Sequence, residues 1–290
     1  MTTPPIQWYP GHIAKAERQL KEQLKRVDVV LEVRDIRIPL ATSHPQVAEW
    51  TGGKTRVLVL NRMDMVSPQV RELWNEWFHT QGDKAYFTNA QHGAGVVAVA
   101  KAAQYVSVEL NRKRREKGML PRPVRAVVIG FPNVGKSALI NRLLKRRVVE
   151  SARRAGVTRQ LRWVRISEEI ELLDAPGIIP FKLDSQADAL KLAICDDIGE
   201  ASYDNQRVAV ALVDLLKQLE ATGAGLLPPS PLKSRYELDP TTMTAEEYLH
   251  SLAVKRYQGD VERAARQLLN EFRKGVLGTI PLELPPNRSY

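Results

Sequence analysis

One octapeptide limits what this 290-residue chain can fold into: Gly130-Phe131-Pro132-Asn133-Val134-Gly135-Lys136-Ser137, a match to G-x-x-x-x-G-K-[ST]. The apolar run before it, 124–129, reads as a buried strand. Residues 138–144 after it read as a helix with Leu139, Ile140, Leu143 and Leu144 on one face. Strand, glycine loop and helix together form a phosphate cradle. Gly130 and Gly135 let backbone N–H groups turn toward phosphate oxygens, and the helix start adds positive potential. Lys136 is placed for the β- and γ-phosphates and the Ser137 hydroxyl for Mg²⁺, with Val134 and Ala138 lending backbone.

The rest of the chain fits an α/β protein. Apolar residues make up 43%, enough for a core, and no apolar run approaches the ~18 residues of a membrane span. The polar, Pro-rich start lacks the apolar centre of a signal peptide, and Cys195 stands alone, so a reducing cytoplasm is expected. A net charge of +10 makes a polyanionic partner worth testing, though charge alone carries little.

Residues 12–26 show a helical amphipathic pattern, preceded by Trp8-Tyr9-Pro10-Gly11-His12. Strands are expected at 27–33, 55–60 and 84–87, and helices at 67–80 and 94–110. This alternation points to a parallel, doubly wound sheet. The 111–125 stretch carries Lys or Arg at 112, 113, 114, 115, 117, 122 and 125 and reads as a linker, either a solvated tether or a polyanion contact. A basic loop spans 145–162, and two further strands, 160–166 and 169–174, lead to Asp174-Ala175-Pro176-Gly177. From about 205 the strand signal ends, and helices are expected at 208–219, 245–257 and 261–274. In the last helix Arg263, Arg266, Arg273 and Lys274 lie opposite Ala264, Ala265, Leu268, Leu269 and Phe272, a stripe that suits either solvent or nucleic acid.

A phosphate loop does not choose a base; Asn61-Arg62-Met63-Asp64 at a strand end does. Guanine presents N1–H and its 2-amino group side by side to one carboxylate, here Asp64, whereas adenine leaves that acceptor partly unpaired. Asn61 would tie the base loop to neighbouring backbone, and Asn89-Ala90 at the end of the next strand would offer a backbone N–H to guanine O6. Asp174 suits a Mg²⁺-bound water and Gly177 a backbone contact to the γ-phosphate. Thr158, in Gly156-Val157-Thr158, reads as a loop threonine or as a switch residue closing on Mg²⁺. The base readers precede the phosphate loop, the reverse of the usual GTPase order. The same sheet forms if the old termini are joined through 111–125, which puts new termini beside the switch after Asp174.

These motifs, with Trp8-Tyr9-Pro10-Gly11-His12-Ile13-Ala14-Lys15-Ala16 and Asp35-Ile36-Arg37-Ile38-Pro39, resemble the circularly permuted GTPases, and within them the RbgA/YlqF family of ribosome-assembly GTPases. The resemblance covers roughly the first 180 residues. It implies GTP hydrolysis stimulated by the large ribosomal subunit, contact with 23S ribosomal RNA, and a role in late maturation of that subunit. Two positions depart from the family: Arg62 replaces the usual Lys, its stem still able to cover the base, and Asn89 replaces the usual Ser. Ile178 follows D-x-x-G where many GTPases carry a water-orienting Gln, and the resemblance assigns that role to His12, otherwise a residue at a helix start. Asn133 resembles the asparagine that helps bind K⁺ in potassium-stimulated relatives.

The resulting expectation is a circularly permuted GTPase domain, α/β, over 1–202 and a small all-helical RNA- or ribosome-binding domain over 203–290. The protein would be monomeric when free. Its catalytic set is His12, Lys136, Thr158 and Gly177; its ligands are GTP or GDP with Mg²⁺; its RNA contacts are Arg263, Arg266, Arg273 and Lys274. Two readings stand beside it: a GTP-gated RNA-binding switch with incidental hydrolysis, and a GTPase acting on another RNA.

Overall fold

A computed structural model describes residues 22–144, 162–168, 170–174, 185–199, 203–222 and 225–286. His12, Thr158 and Gly177 lie outside the described residues, as does most of the 12–26 helix, and of Asp174 only the backbone is described.

The sheet is built outward from β1 (Val29–Asp35), whose seven residues are all buried. Its β-branched run suits a central parallel strand covered on both faces. On one side β1 pairs in parallel with β2 (Thr55–Asn61), which pairs with β3 (Ala85–Thr88); on the other it pairs with β4 (Val124–Ile129). Beyond β4 the edge is formed by the antiparallel hairpin of β5 (Arg162–Arg165) and β6 (Ile170–Asp174), β6 running parallel to β4. The order is β3-β2-β1-β4-β6-β5. The chain therefore walks away from β1 to β3 and returns on the other side, which makes the carboxyl ends of β1 and β4 a topological switch point. Register sets Asp35 beside Asn61 and Asn61 beside Thr88. Three widely separated sequence motifs are thus adjacent at one edge.

Helices cross between these strands. A short α1 (Val47–Thr51) precedes β2, and α2 (Pro68–Thr80) precedes β3. The α2 helix starts where Ser67 accepts the Val70 N–H, with Pro68 in the first turn where its missing N–H costs nothing, and buries Val70, Trp74 and Phe78. Trp77 packs against this cluster, half-buried at its margin.

The next helix, α3 (Val96–Glu116), runs six residues beyond its expected end. Lys and Arg are good helix formers, so the basic run continues the helix rather than breaking it, until Gly118 turns at φ 69°. The remainder is pinned: Asn111 Nδ2 donates to Arg122 O and its Oδ1 accepts the Arg122 N–H, both at 3.0 Å, while Asp28 accepts from Arg122 Nη1 at 2.7 Å. Residues 111–125 are therefore a helix end and a strap, which corrects the reading of a tether.

After β4 comes α4 (Lys136–Leu143), then α5 (Gln186–Cys195), a helix that sequence reading missed. The helical part comprises α6 (Asn205–Thr222), α7 (Pro231–Tyr236), α8 (Ala245–Tyr257) and α9 (Val261–Arg273). A capping box joins Thr244 and Glu247 at the start of α8, and Asp260 caps α9. One apolar cluster runs from Leu31 and Ala126 in the sheet through Leu192 of α5 and Val208 and Leu212 of α6 to Leu252 and Leu268. The helices expected as a second domain share the core of the first. The chain then returns to the sheet, where the Leu282 and Glu283 N–H groups donate to Arg37 O and the Glu283 carboxylate accepts from Leu40 N at 2.7 Å and Lys191 Nζ at 3.0 Å.

Candidate functional site

The phosphate loop leaves β4 at Gly130, whose φ is 149°; a Cβ there would stand 2.3 Å from Val33 O. Gly135, at φ 104°, has the Asn61 side chain in the same position, with Nδ2 2.1 Å from a hypothetical Cβ. Only glycine permits both the backbone and the close approach. Between them Asn133 takes a left-handed φ of 57°. The first turn of α4 then presents backbone N–H groups that the helical ladder does not use. Lys136 is buried, and its Nζ donates to Phe131 O at 2.7 Å. Ser137 and Ala138 are half-buried on the open side. This cradle, with glycine where a side chain would block it, a lysine inside and a hydroxyl at the helix start, fits a nucleotide polyphosphate with its divalent cation.

Asn61 joins the base-reading side to this cradle. Its Nδ2 donates to Val134 O at 2.8 Å, and its Oδ1 accepts from Thr88 Oγ1 at 3.0 Å and Ala90 N at 2.9 Å. One buried amide therefore holds the phosphate loop, the β2 end and the β3 end in one arrangement. Asp64 lies in a 3₁₀ turn (Met63–Met65) and is exposed, without a partner among the described residues. A carboxylate left open at the rim suits a ligand that supplies two donors.

Three residues expected at the base also make contacts within the protein. The Ala90 N–H, expected to meet guanine O6, donates to Asn61 Oδ1, so an O6 contact has to share that donor. Asn89 is buried and works locally, its N–H donating to Ala94 O and its Oδ1 accepting the His92 N–H at 3.0 Å. Arg62 reaches toward the phosphate loop: its Nη2 donates to Asn133 O at 2.7 Å, and its Nε is 3.3 Å from Asp35 Oδ2. A guanidinium reaches two acceptors that a lysine would have to choose between.

Behind the loop lies a charged cluster for which sequence reading gave no role. Arg37 and Asp35 are fully buried and bidentate, Nε to Oδ1 at 3.0 Å and Nη2 to Oδ2 at 2.6 Å. Arg37 Nη2 also donates to Cys195 O, and its guanidinium lies 5.4 Å from the Phe272 ring centre on α9. Asp197, fully buried, has neither carboxyl oxygen hydrogen-bonded among the described residues and sits 4.0 Å from Arg62 Nη2. Burial opposes ionisation of Asp35, but Arg37 and Arg62 outweigh it and hold the carboxyl below the usual range. Burial pushes Asp197 well above that range, and the charge on Asp35 adds to it. The two buried carboxyls are therefore pushed in opposite directions, Asp35 toward the charged form and Asp197 toward the neutral one. Asn133 connects this cluster to the phosphate loop, since its Nδ2 donates to Asp196 O at 2.7 Å. No spacing in the sequence forecasts Asp197; only the packing of α5 brings it there. Arg142 of α4 likewise donates to the Ala90 and Gln91 carbonyls from a position with no motif.

A family model described as 50S ribosome-binding GTPase matches residues 125–234. The chain is 36% identical over 286 residues to "Ribosome biogenesis GTPase A" of Bacillus cereus, covering 97% of this chain and 94% of that one. The chain belongs to the ribosome biogenesis GTPase A family. Two solved structures share its fold at a TM-score of 0.66. One, described as GNP-bound YlqF from T. maritima, is 24% identical and covers 94% of this chain and all of that one. The other, a GDP-bound structure of TM YlqF, is 25% identical and covers 93% of this chain and all of that one. This member of the family is a GTPase with the circularly permuted G domain, its base-reading strands preceding its phosphate loop.

The basic stripe of α9 is only partly outward. Arg263, Arg266 and Lys274 are exposed, Arg266 paired with Glu262 at 2.8 Å. Arg273 turns inward, donating to Ala193 O and Ile194 O at the end of α5 and to Tyr203 Oη at 2.8 Å. That guanidinium caps a helix, which corrects its placement on the RNA face.

Proposed function

We propose that this GTPase hydrolyses GTP to drive late assembly of the large (50S) ribosomal subunit, docking on 23S ribosomal RNA and leaving after hydrolysis. The observation that carries the guanine reading is the Asn61 junction, which fixes the open Asp64 carboxylate relative to the phosphate loop. Family membership supports the ribosomal setting. In this reading Asp64 accepts N1–H and the 2-amino group of guanine, while Val134 to Ala138 surround the phosphates and Lys136 leaves Phe131 O for them. Ser137 and Thr158 would ligate Mg²⁺, with Asp174 reaching it through water and Gly177 meeting the γ-phosphate. The cation neutralises charge that develops on the phosphates. A K⁺ ion beside Asn133 belongs to the same proposal: with Nδ2 held by Asp196 O, the side-chain carbonyl has no partner among the described residues. His12 would orient the attacking water once the ribosome positions the N-terminal segment. No described helix is long and apolar enough to cross a membrane. A monomer in the cytoplasm completes the proposal.

The test is steady-state GTP turnover with and without purified large subunits, for wild type and His12→Ala. Stimulation that is lost in the variant while nucleotide binding persists supports both the partner and the histidine. Stimulation surviving in His12→Ala returns His12 to a structural role. No stimulation of wild type favours the RNA-binding switch in which hydrolysis is incidental.

A further inference from the structure

The α3 helix starts directly from the base-reading loop, with Gly95 as its N-cap, and its 21 residues extend roughly 30 Å. Its inner face buries Val96, Val99, Ala103 and Ser107 against the sheet. The opposite face is unusual for a helix on a globular domain. Val97 is 68% exposed, Tyr105 74% and Val108 62%. At 3.6 residues per turn these three share an arc of about 80° with Lys101, Arg112 and Arg115. No acid falls on that arc; Glu109 and Glu116 lie beside it and are held by Arg112 at 2.7 and 2.5 Å. Lys101 and Arg115 have no partner among the described residues, nor does Lys117 just beyond. Past the Gly118 turn, Leu120 is 83% exposed, and its carbonyl accepts from Arg114 Nε, which holds it at the end of the same ridge.

Single exposed apolar groups need no explanation, but an aligned aromatic and two valines interleaved with unpaired cations do. We infer that this ridge is a single-stranded RNA contact, with Tyr105 and its apolar neighbours stacking under unpaired bases and Lys101 and Arg115 tracking the phosphates. The choice of RNA over a protein follows from charge. Along 101–117 there are cations at 101, 112, 113, 114, 115 and 117 against Glu109 and Glu116 alone, and a polyanion compensates such an excess. The exposed phenol favours unpaired bases over duplex, because a stacked base needs an open face. The ridge is separate from the α9 stripe and would give the protein a second hold on RNA. It rests on the reading that the chain docks on RNA.

The test uses the full chain, Tyr105→Ala, the double variant Lys101→Glu/Arg115→Glu, and Arg263→Glu/Lys274→Glu as a comparison on α9. Binding of a fluorescent oligouridine of about 20 nucleotides is followed by anisotropy from about 50 to about 200 mM salt. All these side chains are exposed, so GTP affinity and thermal midpoint serve as folding controls. Tyr105→Ala is expected to weaken binding roughly tenfold with an unchanged salt slope, and the charge reversal to weaken it further and flatten the slope by about 1.4. Binding by both ridge variants within twofold of wild type overturns the ridge and leaves RNA docking in place. Failure of wild type to bind any RNA overturns both. Normal oligouridine binding with lost stimulation by large subunits assigns the ridge to a protein and overturns the RNA assignment.

Discussion

At the scale of single residues the site depends on one amide and two carboxyls in contrasting surroundings. The Asn61 side chain satisfies one acceptor and two donors inside the protein, so Asn61→Ala leaves the Val134 carbonyl, the Thr88 hydroxyl and the Ala90 N–H without this partner. Each buried orphan costs about 1–3 kcal/mol, and the loss should appear in both urea stability and nucleotide affinity. Asp64, exposed and uncommitted, should behave differently. Asp64→Asn should keep stability within about 0.5 kcal/mol but weaken GTP binding by about 3 kcal/mol, two charge-assisted bonds, while xanthosine triphosphate binding survives. Calorimetric titration with both nucleotides decides it, and equal loss of the two would remove Asp64 as the guanine reader. The buried cluster gives a pH signature. Because the folded-state pKa of Asp197 is raised, its penalty is absent below the unfolded value and grows as pH rises through the folded one. Asp197→Asn should therefore raise the thermal midpoint at pH 8 and lose that advantage toward pH 4. Asp35 has the opposite sign: its lowered pKa stabilises the fold above the unfolded value and is lost as pH falls through the folded one. Removing it with Asp35→Asn strands the Arg37 charge, at a cost of about 3–5 kcal/mol in urea unfolding.

At the scale of elements, most of the parallel sheet could be read from sequence, because buried strands show as short β-branched runs bounded by turn residues. The strands expected at 55–60 and 84–87 appear as Thr55–Asn61 and Ala85–Thr88. Errors fell where local composition competed with propensity. The 111–125 stretch looks like a linker because it is charged, yet its Lys and Arg extend α3 until Gly118 stops it. Helix α5 was missed: its apolar run is short and follows a Pro-rich stretch, and its burial of Leu192 and Cys195 is set by what packs on it. The phosphate loop allows the sharpest element-scale prediction. Gly135→Ala puts a methyl group onto the Asn61 amide at a φ that disfavours any side chain. It should abolish measurable GTP binding and lower stability by about 1–3 kcal/mol, whereas Gly82→Ala, at a similar φ but in open space, should lower stability by only about 1 kcal/mol.

For the whole molecule, the shared core couples the helical part to the nucleotide site through the Arg37 region. Arg37 O accepts two N–H groups from the returning C-terminal segment, its guanidinium faces Phe272, and its carboxylate partner Asp35 contacts Arg62. Glu283 is the clasp, accepting from Leu40, Ala41 and Lys191. Glu283→Ala leaves the Leu40 and Ala41 N–H groups without their acceptor and Lys191 with Asp188 alone, and should cost about 2–4 kcal/mol. Because the core is continuous, this loss should appear in one cooperative unfolding transition rather than two, which tryptophan fluorescence and circular dichroism followed together will show.

Sequence alone determined the phosphate loop, the N-x-x-D motif at the end of β2, their order and the strand alternation. Each is a local property: backbone freedom at glycine, the hydrogen-bonding face of one carboxylate, or a side-chain period. Tertiary structure decided what those residues do to one another. Asn61 lies 73 positions from Val134 in the chain, and Arg37 lies 158 from Cys195. Whether Arg273 caps α5, and whether Asp197 is buried without a hydrogen bond among the described residues, depends on helices whose packing no spacing encodes. Local chemistry is written in order along the chain. Burial and pairing arise only when distant segments share a core, and they set the charge state and the working geometry of the site.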